Sequence, residues 1–258
     1  LLSVLANGLD AFWNRHPAGL WRSSHPGMVP ELRNAATLLA EAGGNPALVA
    51  GACLSRPWAG CDCPQDELAA DLVWPYFAEN PDCLEQALGM RPMQLPRLDL
   101  ASALEVLATF PSIPARYVPR LLELALGDAK TDRAGARAVL SKVPGIAARV
   151  AEALLSSKAE IRAQAAEWLG ALGDRSALPA VERRLAQERK ELPRAALLSC
   201  LERLGGDLSR FIAPEVLAAE AEKGLASGVP KGLEWFPLDA LPECAWRSGG
   251  PVPREVTR

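Results

Sequence analysis

Arg162-Ala163-Gln164-Ala165-Ala166-Glu167-Trp168-Leu169 has a counterpart on either side of it in this chain. Arg133, Ala136, Val139, Leu140 and Val143 align with Arg162, Ala165, Trp168, Leu169 and Leu172 at an offset of 29 residues. These align in turn with Arg194, Leu197, Cys200, Leu201 and Leu204 at an offset of 32. Within each copy the apolar positions lie three or four residues apart, the spacing of one face of an α-helix. The segment before each copy repeats as well. Val118-Pro119 with Leu121 corresponds to Ala147-Ala148 with Val150, and then to Leu178-Pro179 with Val181, at offsets of 29 and 31. A pair of helices therefore recurs about every thirty residues. One pair cannot bury both of its apolar stripes, whereas stacked pairs join the stripes into a continuous core. The expected fold is all-α: a right-handed solenoid of antiparallel helix pairs.

Outward from the repeats, the periodicity predicts helices over 100–110, 115–127, 132–143, 146–157, 159–172, 177–189, 193–204 and 214–226. Proline in the opening turn of a first helix, as at Pro119 and Pro179, costs no hydrogen bond and is at home in HEAT repeats, so the stack is expected to be HEAT/armadillo-like. Earlier helices are expected over 2–13, 31–42, from Pro46 to before Pro57, and over 65–79, then from an Asn80 cap and Pro81 to Gly89. Three regions follow. Residues 1–96 form irregular helical pairs continuous with the solenoid, 97–227 form the regular repeats, and 228–258 form a tail. That tail holds Pro230, Pro237, Pro242, Pro251 and Pro253 among Trp235, Phe236 and Trp246. It is expected to run extended along the last repeats with its aromatic side chains docked.

Composition agrees with helices. Isoleucine and threonine occur four times each, leaving leucine and alanine to dominate, and β-branched residues are the ones strands need. The net charge of −3 does not suit a general polyanion binder, but the charge is unevenly spread. Residues 62–107 hold nine acidic and two basic residues, a local charge of −7. Residues 129–210 hold fifteen basic and ten acidic, a local charge of +5. No signal-peptide pattern opens the chain and no apolar run approaches the ~18 residues that cross a bilayer. Six unevenly spaced cysteines fit reduced thiols better than a disulfide scaffold, so the expected location is cytoplasmic. The start at Leu1 rather than Met leads to the expectation of a piece of a longer polypeptide.

Several strings carry a family resemblance. They are Ala103-Leu104-Glu105-Val106-Leu107 through Phe110-Pro111, Leu121-Leu122-Glu123-Leu124-Ala125-Leu126-Gly127, and Arg162 to Leu169 with Gly173-Asp174. Lys231-Gly232-Leu233-Glu234-Trp235-Phe236-Pro237, Leu241-Pro242, Trp246 and Gly249-Gly250-Pro251-Val252 continue the series. Over residues 68–258 the chain resembles the HEAT-like middle region of large bacterial MolR-like proteins. These are often labelled molybdate-metabolism regulators, and they commonly carry a WGR domain and a domain of unknown function. The resemblance implies a solenoid segment of a larger, regulatory protein and carries over no catalytic residue.

The candidate chemistry is sparse. Cys53, Cys61, Cys63 and Cys83 lack the paired C-x₂₋₄-C knuckles of structural zinc sites, which favours buried thiols over a metal. His16 and His25, the only histidines, both precede proline in a loop and have no evident partner for general-base work. No nucleotide-binding glycine motif and no H-E-x-x-H is present, so no cofactor, metal or catalytic residue is expected. Arg133, Arg162 and Arg194 open the second helix of each copy. They read either as a ladder between repeats, each bonding a carboxylate or carbonyl of the neighbouring turn, with Asp128, Glu160 and Asp174 as nearby candidates, or as a binding row on the concave face. The ladder is favoured, because spacing by repeat is what stacking demands. Arg183, Arg184, Arg189 and Lys190 beside Glu182, Glu188 and Glu191 read as a solvated, salt-laced face.

The expected function is a non-catalytic scaffold whose partner is a protein or another domain of the same polypeptide. The alternatives are a nucleic-acid-binding module using residues 129–210, or part of an enzyme whose active site lies in another domain. No membrane partner is expected.

Overall fold

The computed structural model describes residues 32–41, 43–54, 70–94, 98–226, 232, 235 and 242–253. The helix expected over 2–13, both histidines, Cys61, Cys63 and Phe236 lie outside the described residues, as do the expected region boundaries near 96 and 227. Among the described residues the protein is all-α. It has thirteen α-helices, three short 3-10 turns, no strand and one isolated antiparallel bridge.

The chain divides into two compact units, residues 1–204 and 205–258. In the first unit, α1 (Leu32–Glu41), α2 (Ala47–Leu54), α3 (Ala70–Glu79) and α4 (Pro81–Ala87) precede α5 (Leu100–Thr109). Then come α6 (Val118–Leu126), α7 (Lys130–Leu140), α8 (Ile146–Glu152), α9 (Ala159–Leu172), α10 (Leu178–Gln187) and α11 (Glu191–Arg203). The second unit holds α12 (Ser209–Ile212), which the sequence pattern did not predict, and α13 (Pro214–Ala226).

Helix ends follow from local chemistry. Asp99 caps α5 by accepting from the Ser102 amide at 3.0 Å. Pro119 and Pro179 sit in the first turns of α6 and α10, and a 3-10 turn leads into each, Ala115–Tyr117 and Arg175–Ala177. The expected starts at 115 and 177 are therefore 3-10 rather than α. Likewise α8 gives way at Ala153 to a 3-10 turn ending at Leu155. Gly173 ends α9 with φ of 68°, and Gly205 follows α11 with φ of 70°. Both occupy the left-handed conformation that a side chain disfavours, and they lie 32 residues apart, in the repeat register.

Each aligned pair packs on itself. Helix α6 lies against α7, α8 against α9, and α10 against α11. Between successive pairs, α5 packs on α7 and α9 on α11. Most of the aligned apolar positions are the core: Ala136, Val139 and Leu140, Ala165, Trp168 and Leu169, and Leu197, Cys200, Leu201 and Leu204 are buried, whereas Val143 and Leu172 are half-buried. The first helices contribute Val118 and Leu121, Ala147 and Val150, and Val181. Close approach needs small residues at two crossings. A Cβ on Gly135 would lie 2.9 Å from Leu104 Cδ1, and one on Gly170 would lie 3.3 Å from the Cys200 Cα.

Leu169 is fully buried between α9 and its neighbours, so Leu169→Ala should cost about 2–5 kcal/mol, read as a lower urea midpoint. Leu155→Ala, at a side chain 76% exposed, should move the midpoint little.

Candidate functional site

The arginines that open the second helices are placed by the helix register, one turn before the buried apolar positions. Arg162 is the most enclosed. Its guanidinium donates to both carboxylate oxygens of Glu188, Nε to Oε2 at 2.7 Å and Nη2 to Oε1 at 3.0 Å. Nη1 donates to the Ser156 and Ser157 carbonyls at 2.9 and 3.0 Å. The two side chains are only 6% and 2% exposed, so the pair is desolvated and its lone pairs must be filled from within the protein. They are filled: Arg184 donates to Glu188 Oε2 at 2.8 Å, and the Arg189 and Lys190 amides donate to Oε1 at 3.1 and 3.0 Å. Helix α10 stops at Gln187, before the expected end at 189, because Glu188 turns to extended backbone and its carboxylate takes those amides.

Glu188 is thus no part of a solvated face, contrary to the expectation from its charged neighbours. Arg184 pairs with it, whereas Arg183, Arg189 and Lys190 remain exposed. The Arg162 hydrogen bonds hold the Glu188 carboxyl down at about 2, against an ordinary 4.5, and Arg184 and the Lys190 amide add to the effect against the opposing cost of burial. The same bonds push the Arg162 pKa up.

Arg133 is half-buried. It donates to the Gln164 side-chain oxygen on α9 and, at 3.2 Å, to the Asp128 carbonyl. It thus bonds the main chain of Asp128 rather than the carboxylate. Arg133 and Arg162 share a pattern, each reaching a carbonyl of its own inter-helix turn and a side chain of the next pair. Arg194 is half-buried at the equivalent place. Asp174 instead caps the turn after α9, accepting from the Ser176 amide at 2.9 Å, which lowers its pKa.

Arg137 and Gln164 were not singled out from the sequence, and Glu188 was read only as part of a solvated face. Arg137 donates to the Ala125 carbonyl at 3.0 Å and to Gln164 Oε1 at 3.1 Å, and lies 5.3 Å from the centre of the Trp168 ring. Burial lowers its pKa, Glu167 opposes this and Arg133 adds to it. None of the three residues is repeated at the register offsets, so no periodic signal marks them.

Other cations close helix C-termini. Lys142 Nζ donates to the Ala108 and Phe110 carbonyls at the end of α5, and Arg120 Nε to the Leu88 carbonyl just after α4, at 2.8 Å. Arg133, Arg137, Lys142, Arg162 and Arg184 are thus engaged by groups of the chain itself, while most of the other cations of residues 129–210 are exposed.

Cys83 and Cys200 are buried free thiols whose pKa burial raises, Cys200 to about 11; Cys244 is exposed. Cys53 lies in α2. Among the described residues no three histidine, cysteine or acidic side chains gather as metal ligands, and no helix is long and apolar enough to cross a membrane.

In the second unit the bridge Ala245–Pro251 closes a turn, with the Trp246 amide donating to the Gly250 carbonyl at 2.7 Å. Trp235 is 77% and Trp246 52% exposed, and the Trp235 indole donates to the Gly232 carbonyl at 2.9 Å.

Two clefts open between consecutive second helices. One of about 380 Å3 lies between α5 and α7, and one of about 150 Å3 between α9 and α11.

Comparison with protein-family models, with curated proteins and with solved structures gives no match. The MolR-like resemblance rests on the residues quoted for it alone.

Because the folded value for Glu188 lies below its ordinary one, its carboxylate stabilises the fold above pH 4.5, and this contribution disappears as the pH falls toward 2. The expected loss from this group is about 3 kcal/mol, and Glu188→Gln should flatten that part of the urea-midpoint profile. Arg162→Ala at pH 7 should cost about 3–5 kcal/mol by stranding a buried carboxylate, while the joint change Arg162→Met with Glu188→Leu should cost much less.

Proposed function

We propose that this chain is a non-catalytic interaction scaffold, a HEAT-like α-solenoid segment of a larger bacterial regulatory protein. The second helices α5, α7, α9 and α11 line its concave surface, and that surface holds a protein partner or another domain of the same polypeptide. The observation that carries this reading is the employment of the most buried charged groups. Arg162 and Glu188 are bonded to one another and to backbone atoms, tying one helix pair to the next. The cleft between α9 and α11 is lined largely by small side chains, among them Ala163, Ala166, Gly170, Ala196 and Ser199, as suits a docking face. The alignable pairs in register support the solenoid.

Arg133, Arg137, Arg162 and Arg184 are engaged within the chain, so nucleic-acid binding by the basic half would fall to its exposed cations, and the scaffold reading expects them to serve solubility instead. A duplex or single strand should give no gel shift even at low salt, where phosphate contacts are strongest. A photo-crosslinkable side chain placed at Ala138 or Ala196 in the full natural polypeptide should capture a protein or another of its domains. A map with contacts only on the first-helix side, or none, overturns the scaffold reading.

A further inference from the structure

The second helices α5, α7, α9 and α11 meet at successive joints, and the middle joint is built unlike its neighbours. Helix α5 comes close to α7, where Leu104 lies on Gly135, and α9 comes close to α11, where Gly170 faces the Cys200 backbone. Small residues let those backbones approach, and closely packed helices have little freedom to shift. Helix α7 lies closely against α5 and α6 but against neither α8 nor α9. Among the described helices, only α6 and α9 approach closely across the middle joint.

Long side chains fill that joint instead. Arg133 and Arg137 reach from α7 to the Gln164 side-chain oxygen on α9. Arg137 also donates to the Gln164 carbonyl at 3.2 Å and lies over the Trp168 ring. Arg133, Arg137 and Gln164 are half-buried, so water competes for the same groups. A polar contact that can be exchanged for one to water holds a geometry only weakly.

The backbone that crosses the joint carries a pivot. Helix α7 ends at Leu140 and α8 starts at Ile146, and Gly145 between them has φ of 68°, a region glycine enters freely. A Cβ on Gly145 would have no neighbour within 4 Å. A 3-10 turn leads into α6 and into α10, and each has proline in its first turn; α8 has neither. On one side of the pivot, Lys142 fastens the linker to the Ala108 and Phe110 carbonyls, so movement falls after it, at residues 143–145. On the other side, Arg162 joins the Ser156 and Ser157 carbonyls to Glu188, which binds α8 and α9 to the turn after α10.

We infer that the chain bends at the middle joint, with α3 to α7 moving as one block and α8 to α11 as another. The free protein occupies more than one angle between the blocks, and the two arginines on Gln164 limit the range. A change in a few dihedral angles at the pivot becomes a change in the spacing of α7 and α9. The inference concerns the chain alone and stands or falls apart from the scaffold reading.

Double electron–electron resonance on the full chain tests it, with nitroxides attached to p-acetylphenylalanine so that the native cysteines stay in place. The pair Ala138 and Ser199 spans the joint. Ala78 with Ala138 lies in the first block and Arg149 with Ser199 in the second, and all four sites are exposed. Each end of the spanning pair recurs in a control, which accounts for motion of the label itself. The spanning pair should give a distance distribution at least about twice as wide as either control. Gln164→Leu removes the shared acceptor and should widen it by about half again, leaving both controls unchanged. Far-ultraviolet circular dichroism identifies a variant that fails to fold, and Arg133→Met, which removes one of the two arginine contacts, then takes its place.

A spanning distribution no wider than the controls overturns the inference. So does a substitution without effect on the spanning pair, because the arginine contacts then limit nothing. Equal widening of all three pairs overturns it as well, since that marks general loosening of the fold.

Discussion

Helix α9 cannot be covered from one side. Arg162, Ala163, Ala165, Ala166, Trp168 and Leu169 are all buried, and on a helix these positions wrap well beyond a single stripe. It needs α8 on one side and α11 on another, and it has both. By contrast α10 buries only Val181 and Leu185, a single stripe, and leaves the rest of its surface to charged residues. Helix α9 is thus the many-sided element, whereas α7 buries only Ala136, Val139 and Leu140, and α11 a single stripe from Pro193 to Leu201. The alanines and Gly170 are part of the same requirement, since larger side chains would hold α9 and α11 apart.

Apolar stacking brings the pairs together without determining their register closely, because it is not directional. The polar contacts supply direction. Gln164 receives both Arg133 and Arg137 and so ties α7 to α9, while Trp168 adds an aromatic face to Arg137. Arg162 and Glu188 do the same between α9 and the turn after α10, at the higher cost of two desolvated charges. That cost is met by an unusually complete set of donors around Glu188, two arginines and two backbone amides. A buried pair with fewer partners would weaken the fold.

The outline of the molecule was legible because it is periodic. The three aligned copies predicted α7, α9 and α11 to within two or three residues at each end, and the same alignment named their buried positions. The early helices were legible where proline and glycine punctuate them, as at Pro81 and Gly89. The polar contacts were not. Glu188 sits among charged residues and looks solvated until α11 is seen to begin beside it. Gln164 and Arg137 occupy ordinary helical positions, and their meeting depends on how α7 crosses α9. The arginine row was visible as a row, and Asp128 does bond Arg133 through its carbonyl, but Asp174 caps a turn and the carboxylate that holds Arg162, Glu188, was not foreseen.

The amino-acid sequence by itself determined that the chain is helical, where its helices lie between 100 and 226 apart from the short α12, and which face of the repeated helices is apolar. These are consequences of local propensity and of a period of three to four residues, and both are written along one strand of chain. Only the tertiary structure decided which charges are buried and which helices are bridged. It also decided that α9 and α11 pack closely while long side chains join α7 to α9. Burial of a charge and the closeness of a joint depend on distances between segments tens of residues apart, and those distances are set by how helices pack.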